Sequence, residues 1–179
     1  MRIIGGTVGG RTLKARKGRA TRPTADRVRE AIFNILAARG PTPERVLDLY
    51  AGTGAMGLEA LSRGAAQAVF VESDGAACAL IRENARELGF AGASAVVCSP
   101  VLKWRPEGRF GWIFLDPPYA LTELDRALDL VSGFVDDDGV VVAEHDWRRA
   151  PGETHGGLAL SEVRRYGQTG VSLFRRAHE

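Results

Sequence analysis

The chain is poor in the residues that build metal centres and covalent crosslinks. It has two cysteines, Cys78 and Cys98, and three histidines, His145, His155 and His178, among 179 residues. Two thiols placed on an expected helix and an expected strand make neither a disulfide framework nor a zinc ribbon. The histidines show no ligand spacing, so no metal is expected and both thiols read as core or partly buried groups. No run of about eighteen apolar residues occurs and the N-terminus lacks a signal-peptide core, so the expectation is a cytoplasmic protein with no membrane span. No internal repeat or low-complexity segment is visible. The length suits one domain with a single sizeable core, expected as a monomer.

What the chain does have is concentrated in two short stretches. In the first, Val46-Leu47-Asp48-Leu49-Tyr50 reads as a strand that runs into Gly52-x-Gly54-x-x-Gly57 and then an apolar helix. Glycines there permit a tight turn and let the backbone approach a ligand at a helix N-terminus. The pattern gains meaning from Glu72, which ends the next apolar strand twenty positions after Gly52, where a ribose-binding acid belongs in a nucleoside-binding α/β unit. The competing reading of Glu72 is a helix-capping acid.

The second stretch is Trp112-Ile113-Phe114-Leu115-Asp116-Pro117-Pro118-Tyr119, an apolar strand that delivers a carboxylate, two prolines and an aromatic ring to one spot. Such a set suits a planar amine: Asp116 accepts one N–H, the Pro117 carbonyl accepts the other, and Tyr119 stacks on the ring. Pro118 lacks an N–H and holds Pro117 extended, so the backbone offers an acceptor without a competing donor. The alternative is an ordinary Pro-Pro turn with a solvated aspartate.

A net charge of +2 conceals an asymmetry. Residues 1–30 hold nine basic and two acidic residues, a local charge of +7, against −5 for the remainder. Arg11, Lys14, Arg16, Lys17, Arg19 and Arg22 then form an expected phosphate-contacting arm, because each cation that neutralises a phosphate adds sequence-independent affinity. A solvated lead segment is the plainer alternative.

Residues 1–21, rich in glycine and short apolar runs, read as a basic β-hairpin extension, and residues 22–179 as the main domain. A helix is expected from Thr24 to Leu36. Then strands at 46–50, 68–72, 94–98, 112–115 and 139–144 alternate with helices at 57–63, 74–88 and 121–133. The tail, Leu160–Tyr166 and Val171–Phe174, reads as an antiparallel hairpin. The expected fold class is α/β, a doubly wound, mostly parallel seven-stranded sheet. Ligands in such a sheet bind beyond the carboxyl ends of the strands, where the informative loops all fall.

With those residues assembled, the chain resembles the class I S-adenosylmethionine-dependent methyltransferases, and more closely the RsmD-type family of 16S ribosomal RNA guanine-N2 methyltransferases. The resemblance rests on Arg2-Ile3-Ile4-Gly5-Gly6, Arg22-Pro23-Thr24-Ala25-Asp26-Arg27-Val28-Arg29-Glu30, Asp48-Leu49-Tyr50-Ala51-Gly52-Thr53-Gly54 and Asp116-Pro117-Pro118-Tyr119. It implies a methyl donor held by Asp48, Ala51, Gly52, Thr53, Gly54 and Ser73, with Glu72 on the ribose hydroxyls and Thr24 and Arg27 bordering the methionine end. It also implies 16S ribosomal RNA, within small-subunit particles, as partner. One departure stands out: Cys98-Ser99-Pro100-Val101 occupies the place where class I enzymes often carry a polar side chain for the adenine amine, which leaves that contact to the backbone, such as the Val101 N–H. The competing readings are adenine-N6 methylation of DNA or RNA, a non-catalytic RNA-binding assembly factor and an NAD-dependent oxidoreductase, the last of which leaves Asp116 to Tyr119 unexplained.

Overall fold

The computed structural model describes residues 1–16, 23–118 and 121–177, with the side chains of Pro23, Thr24 and Leu121 also outside the description. Its elements in chain order are α1 (Pro23–Arg39), β1 (Arg45–Leu49), α2 (Ala55–Ser62), β2 (Gln67–Glu72), α3 (Gly75–Glu87), β3 (Ser94–Cys98), β4 (Phe110–Leu115), α4 (Leu121–Val131), β5 (Val135–Asp146), β6 (Thr154–His155), β7 (Leu158–Tyr166) and β8 (Thr169–Arg176). They form one sheet in the order β3-β2-β1-β4-β5-β8-β7-β6. The first five strands in that order are parallel, and β8, β7 and β6 continue the sheet antiparallel. The expected seven strands are present, and the two-residue β6 adds a short edge that its polar sequence did not announce.

Side-chain alternation sorts the sheet into two faces. Val46, Ala68, Phe70, Trp112, Phe114, Val140 and Val142 pack with α1, α2 and α3 in one apolar cluster. Leu47, Leu49, Val69, Val71, Ile113, Leu115, Val141 and Ala143 pack with α4 in the other. Phe33 of α1 seats that helix by ring contacts with Trp112 at 5.9 Å and Phe114 at 5.6 Å between centroids. The strands carry apolar residues on both faces because both are covered, as a parallel sheet requires. The strand order reverses between β1 and β4, so the crevice beyond their carboxyl ends is where a ligand fits.

The N-terminal segment closes as a hairpin through the single antiparallel bridge Arg2–Thr12, without continuous strands. It is not a free extension. Ile3 and Leu13 are buried in the core beside α1. Glu59 of α2, fully buried, accepts the N–H groups of Ile4 and Gly5, each at 2.8 Å. Arg63 supplies Glu59 with a counter-charge at 2.8 Å, and the buried Arg29 lies 3.7 Å away. Glycine is required at position 6, where φ is +80° and a Cβ would lie 1.9 Å from the Ser62 carbonyl oxygen.

Candidate active site

Four carboxylates converge on the carboxyl edge of the sheet because their strands carry them there in register. Asp48 sits between Leu47 and Leu49 of β1, so the period of two turns it toward the α1–α3 face. Glu72 follows Phe70 by two residues on β2 and falls on that face as well. Asp116 lies one residue past the end of β4, and Glu144 stands one residue past Ala143, the strand partner of Leu115. Glu144 was absent from the sequence reading.

The loop between β1 and α2 is organised around two of these acids. Tyr50 adopts φ 58°, a left-handed conformation costly for a non-glycine residue, and its phenol is pushed up by burial and by Glu123 of α4. Gly52 and Gly54 follow at φ 56° and 80°. The Gly52 N–H donates to Glu72 Oε2 at 2.9 Å, and the Gly57 N–H donates to Asp48 Oδ2 at 2.9 Å. Among the described residues a Cβ on Gly52 would meet only the Tyr50 carbonyl oxygen, at 4.0 Å, so the lip of the loop is open toward the crevice. At Gly57 the reason for glycine is packing, since a Cβ would lie 2.4 Å from the Phe70 ring. Ala51 is buried and its N–H reaches the Val71 carbonyl at 3.2 Å. Thr53 is fixed from two sides: Asn84 donates to its carbonyl at 3.1 Å and its hydroxyl meets Met1 Sδ at 3.4 Å.

At the end of β2 the capping and ligand-binding readings separate. Asp74 is the N-cap of α3, accepting from Ala76 and Ala77 at 2.8 and 3.0 Å. Glu72 is oriented by the Gly52 and Asp74 N–H groups, at 2.9 and 3.0 Å, on its two oxygens. A carboxylate has lone pairs for more bonds than these two, and vicinal hydroxyls suit them. Ser73 is exposed between the two acids. Past β3, Val101 is buried at the head of a short 3-10 turn, Val101–Lys103, whose first amide has no partner within the turn. Pro100 is exposed beside it, consistent with backbone recognition at that corner.

Asp116 and Pro118 are exposed and Pro117 is partly buried at the mouth of the crevice. Tyr119 lies outside the described residues. Removal from water, then the fields of Asp116 and Glu72, push the Asp48 carboxyl up to about 8 against the stabilising Gly57 N–H. Glu144 is pushed up to about 8 by the same removal from water and by Asp116 and Asp48, with Arg29 opposing. Such a cluster holds protons at neutral pH and favours a cation beside it.

Of the residues expected at the methionine end, Thr24 has no described side chain, and Arg27 is exposed on α1, where it lines an open cavity of about 580 Å³ with Arg2, Ile4, Asp26 and Glu30. The inward guanidinium is Arg29, which bonds Asp26 at 3.1 Å and the Arg2 carbonyl. The basic arm is partly neutralised. Lys14 bonds Glu83 and Glu87 at 2.6 Å each, Arg16 bonds Asp74 at 2.7 Å, and Arg11 bonds the Glu87 carbonyl at 2.8 Å. Lys17, Arg19 and Arg22 lie outside the described residues. The missed acids, Glu59 and Glu144, carried weak signals: one polar residue in an apolar helix and one at a strand end.

A 3-2-1-4-5 parallel sheet with its β8–β7 hairpin, a glycine loop, an oriented acid at the end of β2 and an Asp-Pro-Pro turn after β4 define a class I methyltransferase. A structure from Clostridium acetobutylicum described as an S-adenosylmethionine-dependent methyltransferase shares the fold with a TM-score of 0.71 at 12% identity, covering 89% of this chain and 94% of that one. A solved Escherichia coli structure, provisionally described as methyltransferase yhhF, matches with a TM-score of 0.86 at 31% identity, covering 100% of this chain and 99% of that one. By sequence, the chain is 38% identical over 185 residues to a Bacillus subtilis protein with the provisional name rRNA methyltransferase YlbH, covering 98% of this chain and 99% of that one. It is 33% identical over 180 residues to ribosomal RNA small subunit methyltransferase D of Escherichia coli, covering 98% and 90%. Residues 1–175 match the family described as conserved hypothetical protein 95. The chain belongs to this family, the RsmD-type methyltransferases.

Proposed function

We propose that this protein transfers a methyl group from S-adenosylmethionine to the exocyclic N2 amine of a guanine in 16S ribosomal RNA. The observation that carries the reading is the placement of Asp116 and Pro117 at the same sheet edge as Asp48, the open glycine loop and the oriented Glu72. That placement supports a donor and an amine meeting at one edge, and the relatives named as ribosomal RNA methyltransferases support the substrate class.

The residues present fit the cofactor. Glu72 has acceptor capacity left for ribose hydroxyls, Gly52 leaves room for a close approach, and the acidic cluster suits a sulfonium cation. When bound, the donor supplies a methyl group already activated by positively charged sulfur. The protein's work is then alignment. Asp116 and the Pro117 carbonyl accept the two N–H groups of the amine, whose lone pair is otherwise delocalised into the ring. Fixing that geometry supplies about 7 kcal/mol or more of the barrier reduction. Asp116 also stabilises the positive charge that grows on nitrogen. The exposed cations of the N-terminal segment contact RNA phosphates and help offset the unstacking of the target base, an estimated few kcal/mol.

The test is methyl transfer from labelled donor to small ribosomal subunits, naked RNA and duplex DNA, with nucleoside analysis of the product. N2-methylguanosine is the expected product. N6-methyladenine transfers the assignment to the alternative amine, and binding of the donor without transfer to any of the three returns the non-catalytic reading.

A further inference from the structure

Glu144 belongs to the acidic cluster but has no contact with the ribose or the amine in the function proposed above. Its position follows from register: Ala143 partners Leu115, so Glu144 comes level with Asp116 on the neighbouring parallel strand, with the strands about 4.8 Å apart. Val142 packs on the α1–α3 face and Ala143 on the other, so Glu144 shares the face of Asp48. The charged groups that act on it are Asp48 from β1, Asp116 from the loop after β4, and Arg29 from α1. Its partner on β8 is the uncharged Val171. The adjacent His145 is committed elsewhere, through Ser172 Oγ and the Asp146 carbonyl, each at 2.8 Å.

Transfer from sulfonium to amine needs a final proton acceptor. The carbon–sulfur bond breaks with its electron pair going to sulfur, the nitrogen lone pair forms the new carbon–nitrogen bond, and the methylated nitrogen, now cationic, must lose a proton. We propose that Glu144 receives this proton, passed on by Asp116, and that Glu144 is ionised only while a sulfonium cation lies in the crevice. The inference rests on the methyl-transfer reading above.

The chemistry closes without a further reactant. In the empty site, the crowded acids keep a proton on Glu144. A cation beside Asp48 lowers the proton affinity of the whole cluster, so Glu144 gives up its proton to solvent as the donor binds. Transfer leaves sulfur neutral and moves the positive charge to nitrogen. Glu144 regains its affinity as the amine becomes acidic, and the proton crosses through the Asp116 carboxylate. The result is a neutral methylamine, a neutral thioether and a protonated Glu144. Glu144 is therefore a positioning residue for the proton and acts through Asp116.

The experiment is calorimetric titration of the full chain with S-adenosylmethionine and, separately, S-adenosylhomocysteine, which lacks the sulfonium charge, in two buffers of different ionisation enthalpy near pH 7. The expected result is proton release with the first ligand and little with the second, with the difference reduced in Glu144→Gln, where Asp48, also pushed up to about 8, is left to supply the remainder. Single-turnover transfer by Glu144→Gln is expected to fall on the order of 100-fold and to lose the pH dependence that Glu144→Asp retains. Equal proton release for the two ligands, or an unchanged difference and pH profile in Glu144→Gln, overturns the inference while the methyl-transfer reading stands. Binding of neither ligand overturns both. The wild-type comparison of the two ligands needs no variant, so a folding defect in Glu144→Gln leaves the inference open to refutation.

Discussion

The Gly52 N–H donates to Glu72 Oε2 at 2.9 Å, across twenty positions of sequence, so the glycine loop itself aims the acid proposed to read the donor. The second oxygen of Glu72 takes the Asp74 N–H at 3.0 Å, and Asp74 itself caps α3. The acid is therefore held before any ligand arrives, which spares the ordering cost on binding.

Glu72→Gln keeps the shape and the loop contact at one oxygen but forfeits the charge-assisted bonds proposed to the ribose. Such bonds contribute about 1.5–3 kcal/mol. Donor affinity is expected to fall at least about tenfold, measured by calorimetry, with a melting temperature within a few degrees of wild type.

Asp48 links function to stability through pH. Its folded carboxyl titrates near 8, far above its ordinary value of 3.8. The folded state thus holds a proton that the unfolded chain has released, and the resulting stability is fully present below about pH 4 and lost as pH rises through 8. Asp48→Asn is expected to raise the urea midpoint at pH 8 and leave it nearly unchanged near pH 4, while donor binding weakens. Denaturation curves at the two pH values check the sign.

Glu59 is the anchor of the N-terminal segment, fully buried with two backbone donors and Arg63 around it. Glu59→Ala leaves Arg63 and two N–H groups without their acceptor and removes the charge beside Arg29, a change expected to cost about 3–5 kcal/mol. Urea unfolding reads this directly, and proteolysis within residues 1–16 should accelerate.

RNA affinity should respond to the acids of α3 as well as to the arm. Replacing Arg11, Lys14 and Arg16 by alanine is expected to weaken RNA binding and flatten its salt dependence by about 0.7 per lost phosphate contact on single strands. Glu83→Gln with Glu87→Gln releases Lys14 from its two partners and should strengthen RNA binding. An unchanged salt slope in the arginine and lysine variants removes the segment from the interface.

The alternation of apolar strands with helices was legible in the chain because a parallel sheet covered on both faces leaves uninterrupted apolar runs. Ser94–Cys98 fell at its expected limits. Asp48, Glu72 and Asp116 stood out in the chain because each ends or interrupts such a run, Asp116 directly before two prolines. Glu144 was hidden because its neighbours come from β1, α1 and the β4 loop, and only the β4–β5 register brings it level with Asp116. The N-terminal arm looked free by charge count alone, whereas Glu83 and Glu87, the acids that neutralise Lys14, lie on α3, about seventy positions away. Non-local pairing of this kind has no period or spacing to betray it.

Asp116→Ala, assayed in single turnover with small ribosomal subunits and titrated with S-adenosylmethionine in parallel, tests the central claim most directly. Loss of transfer by at least about 100-fold, with donor affinity within a few-fold of wild type, is the predicted result. Transfer at the wild-type rate would contradict the assignment of this carboxylate to the amine.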